Sequence, residues 1–145
     1  MKILRKACAS GVARFTMDDV PSLSLAFLGD AVYAVYIRTF LIKEKPYLKP
    51  EQLHREANKL VSARAQSEAL LYLKNEGILS PDEWDIAKKA RNKSSATRAK
   101  NATIKEYRNA SGIEALIGWL ELHDAQDRID VLMEKIIERG RDDDE

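Results

Sequence analysis

At 145 residues the chain has room for one domain with one sizeable core. Its composition, 45% hydrophobic and 32% charged, is that of a globular protein rather than a disordered or fibrous one. A single cysteine, Cys8, excludes an intramolecular disulfide, and two isolated histidines, His54 and His123, argue against a zinc centre.

In chain order, residues 1–16 show no periodicity and no continuous apolar segment of signal-peptide length, and read as a leader or short helix. Residues 17–140 read as the single folded domain, and 141–145 as an acidic tail. Asp18, Asp19, Pro21 and Ser22 supply start signals for a helix from about Leu23 to Lys43. That helix approaches membrane-spanning length, but Asp30 and Arg38 interrupt it, so the chain is expected to be cytoplasmic with no membrane partner. Pro46 and Pro50 bracket a loop. A second helix runs from Pro50 to about Lys74 and is stopped by Asn75 and Gly77.

Ser80-Pro81-Asp82-Glu83 is a capping box. Behind it, Trp84 and Ala87 form a stripe too narrow to bury deeply, and from Lys88 the pattern reads as a long exposed loop. Thr103 to Glu106 offers another capping box, opening a helix with Tyr107, Glu114 and Trp119. Asp124 starts a last amphipathic helix with Ile129, Leu132, Met133, Ile136 and Ile137 on its apolar side, ended by Gly140. No segment alternates with period two, and the expected fold class is all-α.

Two features carry chemistry. Asp30 lies in Leu25-Ala26-Phe27-Leu28-Gly29-Asp30-Ala31-Val32, and its helical neighbours Ala26, Phe27, Tyr33 and Ala34 include no cation. Glu114, in Ser111-Gly112-Ile113-Glu114-Ala115-Leu116-Ile117-Gly118, is equally alone. An ionised carboxylate among apolar residues is costly without a partner. Small flanking residues leave room for a shared hydrated cation; the alternative is a buried ion pair with Arg38 or another basic residue.

The second feature is a basic segment. Residues 88–108 carry Lys88, Lys89, Arg91, Lys93, Arg98, Lys100, Lys105 and Arg108 against Glu106 alone, a net +7 against −6 for the rest of the chain. Interleaved Asn, Ser and Thr can donate to phosphate oxygens, and this concentration has the footprint of a nucleic-acid binder; a solvated loop is the alternative. Aromatics are few within it, so backbone tracking of a duplex fits better than stacking on single-stranded bases.

Taken together, Leu25-Ala26-Phe27-Leu28-Gly29-Asp30-Ala31-Val32 resembles the signature helix of the ribonuclease III catalytic domain, and Glu114-Ala115-Leu116-Ile117-Gly118 resembles that family's second acidic motif. Leu60-Val61-Ser62 falls where the family has a comparable segment. With no double-stranded-RNA-binding domain in the sequence, the chain is similar to the stand-alone Mini-ribonuclease III subgroup. In two departures from the family pattern, Ala26 and Ser111 stand where the wider family has carboxylates, replacements shared with that subgroup. The resemblance implies a ribonuclease III-like helical bundle and a metal-dependent endoribonuclease acting on double-stranded RNA in maturation of precursor 23S ribosomal RNA. It implies 5′-phosphate and 3′-hydroxyl ends and a homodimer whose two sites address the two strands. Asp30 and Glu114 would be the catalytic residues and hold Mg²⁺. Lys88, Lys89, Arg91, Lys93, Arg98 and Lys100 would grip RNA, Phe27, Leu28, Val32 and Val35 would face the core or the partner subunit, and a large-subunit ribosomal protein is a further candidate partner. Ser62, Arg64 and Gln66 read equally well as ordinary helix surface. The rival function is a non-catalytic RNA-binding or ribosome-associated protein that keeps the fold.

Overall fold

A computed structural model describes residues 19–94 and 102–142, and among these the chain is all-helical. The helices are α1 (Ser22–Glu44), α2 (Pro50–Val61), α3 (Ala63–Asn75), α4 (Pro81–Lys93), α5 (Ile104–Leu122) and α6 (Gln126–Asp142). The leader and the tail end at 143–145 lie outside the described residues.

Helix α5 is the hub, buried almost continuously from Asn109 to Glu121. Around it α1, α3 and α4 pack, and α6 closes the core with Ile129, Leu132, Met133, Ile136 and Ile137, the stripe expected of it. Helix α1 is apolar enough by composition to cross a membrane. It buries one stripe (Leu25, Ala26, Gly29, Tyr33, Ile37, Leu41) and leaves Leu23, Phe27, Val35 and Ile42 exposed, while Leu28 and Val32 are partly buried.

Three elements differ from the sequence expectation, each for a local reason. The helix expected from Pro50 to Lys74 is two helices. Ser62 takes an extended conformation (ψ 156°) and caps α3, its hydroxyl accepting from the Ala65 N–H at 3.2 Å. A side chain that satisfies an orphan N–H can end one helix and start the next at a single residue.

The stretch Lys88–Lys93 is not a loop, because α4 continues to Lys93; the rest of the expected loop, residues 95–101, lies outside the described residues. Its buried face is Glu83, Ala87 and Ala90. Alanine buries well where the neighbouring backbone comes close: a Cβ on Gly112 of α5 would lie 2.9 Å from the Ala87 carbonyl oxygen. Glu83 also receives Nε and Nη2 of Arg128, both at 2.8 Å, which pins α4 to α6.

Gly140 does not end α6, which runs on to Asp142; a Cβ there would meet the Leu60 side chain at 2.4 Å. Asp124 is the turn residue before α6 (φ +55°) rather than its start. The end expected at Asn75 and Gly77 is found: Gly77 has φ +68°, and the N–H groups of Gly77 and Ile78 bond the carbonyls of Lys74 and Leu73.

Candidate active site

The crossing of α1 and α5 depends on two glycines facing each other. A Cβ on Gly29 would lie 1.6 Å from the Glu114 carbonyl oxygen, and one on Gly118 would lie 1.9 Å from that of Leu25. Only hydrogen at both positions lets the backbones touch. The space that small residues leave beside the two acids is therefore filled largely by the opposing backbone. The same contact puts Asp30, one residue from Gly29, opposite Glu114, and their carboxyl groups are in hydrogen-bond contact.

The two acids are not alike. Asp30 is exposed at the rim of the crossing, and Glu114 is partly buried. Burial first, then the hydrogen bond with Asp30 and its charge, push the Glu114 carboxyl up to about 9, with a hydrogen bond from Gln66 opposing. Two acids in contact, one of them desolvated, must share either a proton or a cation. The donor set therefore suits a hard divalent ion with oxygen ligands, completed by water or phosphate oxygen. The described residues offer no cluster of three or more acidic, His or Cys groups, so these two are the only protein carboxylates it assembles here.

Arg38 does not take the cation's part. It is exposed, eight residues from Asp30 on the same helix, about 12 Å along the axis, and lines clefts with His54 and Ala57. No ion pair among the described residues joins it to either acid.

Lys88, Lys89, Arg91 and Lys93 lie along α4, while Arg98 and Lys100 lie outside the described residues. Lys88 reaches Asp85 at 3.7 Å, and the Arg91 guanidinium lies 5.5 Å from the centre of the Trp84 ring, which Lys74 covers at 4.5 Å. Lys89 and Lys93 are exposed. At its C-terminal end α4 meets α5, where Ser94 contacts Ser111, one turn before Glu114.

Two residues were undervalued in the sequence. Gln66 is 3% exposed and not surface at all. The signal was present, since Gln66, Ala69, Leu70 and Leu73 form one i, i+3, i+4, i+7 stripe, and a glutamine on an apolar stripe needs a partner. Tyr33 lies in the core, and its hydroxyl is fully buried beside Glu114 without a hydrogen-bond partner, so burial pushes its pKa up. The two departures are also explained locally. Ala26 packs with Leu25, Ala90 and Ala115 in an apolar cluster, and Ser111 bonds Ser94 and the Tyr107 carbonyl.

A helical bundle with an acidic pair at a glycine crossing and a cationic helix beside it is the architecture of a ribonuclease III-type nuclease. The Ribonuclease III domain family matches residues 23–125. Proteins named Mini-ribonuclease 3 are similar over most of their length: that of Staphylococcus aureus is 43% identical, covering 79% of this chain and 85% of its own, and that of Brevibacillus brevis is 48% identical over 74% and 78%. A crystal structure of a protein from Fusobacterium nucleatum superposes with TM-score 0.73 at 28% identity, covering 83% of this chain and 93% of that one. The chain belongs to the ribonuclease III family, in its Mini-ribonuclease III branch, and is an endoribonuclease of that metal-dependent, double-stranded-RNA-directed type.

Proposed function

We propose that Asp30 and Glu114 hold Mg²⁺ and that the protein, a cytoplasmic homodimer, cleaves duplex regions of precursor 23S ribosomal RNA to 5′-phosphate and 3′-hydroxyl ends. The observation that supports this reading most is the Gly29–Gly118 crossing, which brings Asp30 opposite the partly buried Glu114 and pushes the Glu114 carboxyl up. An acid held in that state is unfavourable in a free protein and is relieved by a divalent cation.

When bound, the ion supplies Lewis acidity toward the scissile phosphate and a lowered pKa for a coordinated water. The chain's own residues supply position. Gln66 donates to Glu114 and orients its carboxylate, and the Gly29–Gly118 contact fixes Asp30 opposite it. Lys88, Lys89, Arg91, Lys93, Arg98 and Lys100 provide the phosphate grip, sequence-independent and salt-sensitive. Duplex RNA read by backbone and shape needs no base-specific contacts from them.

The test is cleavage of a defined RNA duplex with Mg²⁺ or with chelator. Wild type is expected to cut only with Mg²⁺, and Asp30→Asn and Glu114→Gln to lose on the order of 100-fold or more in rate. The same variants should melt no lower than wild type without metal at pH 8: Glu114→Gln no longer takes up a proton on folding, and Asp30→Asn removes a charge that helps to push Glu114 up. Duplex binding without cleavage by the wild type would support the rival, an RNA-binding protein that has lost its chemistry. A large loss of stability in Asp30→Asn would instead mark a structural ion pair.

A further inference from the structure

The end of the cationic helix α4 is tied to the helix that bears Glu114 by a pair of buried serines. Ser94 caps α4, its N–H bonding the Ala90 carbonyl at 3.0 Å. Its hydroxyl lies 3.2 Å from that of Ser111 on α5, and the two residues are 6% and 7% exposed. Ser111 donates its own proton to the Tyr107 carbonyl, also at 3.2 Å. The direction of the pair follows: Ser94 donates, Ser111 accepts and passes a proton donation on to the backbone of α5.

Ala90, one turn before Ser94, and Ala115, one turn after Ser111, pack together with Leu25 and Ala26 in an apolar cluster. Two alanines would pack beside it as well as two serines and would need no partners. What hydroxyls add is a bond of fixed length and direction between two elements. Ser111 precedes Glu114 by three residues, about 4.5 Å along α5. Arg91 and Lys93 lie in the last turn of α4, within three residues of Ser94.

We propose that Ser94 is a positioning residue: through Ser111 it sets the distance between the cations at the end of α4 and the Asp30–Glu114 pair, so that a duplex gripped by its phosphates presents one particular phosphodiester to the carboxylates. The proposal rests on the reading that α4 grips RNA, and it assigns Ser111 a structural function at a position where the wider family carries an acid.

The experiment uses the full chain, with Mg²⁺ and an end-labelled RNA duplex of defined sequence, and reads KM, kcat and cut position separately. Ser94→Ala is expected to raise KM about 3- to 10-fold and to spread cutting onto adjacent phosphodiesters, with kcat at saturating RNA within about 2-fold, because the carboxylates are untouched. Ser94→Thr, which keeps the donor, should restore a single cut. Ser94→Ala/Ser111→Ala should be no worse than Ser111→Ala, since Ser111→Ala already removes the bond between the two serines. If Ser94→Ala melts early, Ser94→Cys, close in shape and a poor donor, takes its place. A wild-type KM and a single cut in the variant lacking the donor, a Ser94→Thr as defective as Ser94→Ala, or additive effects would each overturn the proposal. Arg91→Ala/Lys93→Ala separates this from failure of the reading beneath it. If that variant binds duplex as tightly as wild type, the phosphate grip fails and the proposal falls with it. If it binds more weakly while Ser94→Ala is unchanged, the Ser94 tie alone is wrong.

Discussion

At the scale of single residues, Glu114 is set apart by its surroundings rather than its type. In the folded, metal-free protein its carboxyl titrates at about 9, against 4.5 for an ordinary glutamate. The folded state therefore holds a proton that the unfolded chain has released, and its contribution to stability is present below 4.5 and lost as pH rises toward 9. The metal-free protein should show a melting temperature that falls between pH 6 and 9, a fall that Glu114→Gln flattens and Mg²⁺ offsets with release of a proton. Differential scanning across pH, with chelator and with Mg²⁺, checks this; parallel wild-type and Glu114→Gln curves would show that Glu114 is not the group responsible. Asp30 and Glu114 were both legible in the sequence as uncompensated acids. Gln66 shares an apolar stripe with Ala69, Leu70 and Leu73, but that spacing alone does not say which group would partner a buried amide.

Among elements, the decisive contact is the crossing of α1 and α5. The expected space beside the acids is instead occupied by backbone, and the glycines are there to let it in. Gly29→Ala is expected to cost about 3 kcal/mol or more, since a Cβ at 1.6 Å from a carbonyl oxygen moves helices rather than a flexible side chain. Equilibrium denaturation measures it, and a Gly29→Ala protein with wild-type stability would mean that the crossing is looser than the structure has it. The same physics explains α4. Periodicity found no deep stripe behind Trp84 because Ala87 and Ala90 are small, yet both are fully buried, Ala87 where α5 presents Gly112 and Ala90 against Leu25, Ala26 and Ala115. Hydrophobic pattern weighs side-chain size, and close backbone packing reverses that weight. Arg91 and Lys93 thereby gain a rigid helix in place of a loop.

For the whole molecule, the unpaired face of α1 is the feature that one chain cannot explain. Phe27 is 84% exposed and Val35 61%, on a helix whose other side is core. Faces of this kind mark interfaces, and two-fold pairing of the same face is the commonest way to cover one. On the proposed homodimer, Phe27→Asp should shift wild-type dimer to monomer in light scattering without loss of helical circular dichroism; a monomeric wild type would overturn the dimer, and a Phe27→Asp dimer would place the interface elsewhere. The sequence by itself determined the all-helical class, most helix ends and the identity of the two acids, because capping boxes, the Gly77 stop and apolar spacing act through neighbours a few residues away. Only tertiary structure decided that Asp30 is exposed while Glu114 is desolvated, that Gln66 is buried beside it, and that Ser94 meets Ser111. Those outcomes depend on how closely two backbones approach, a distance that no local pattern encodes.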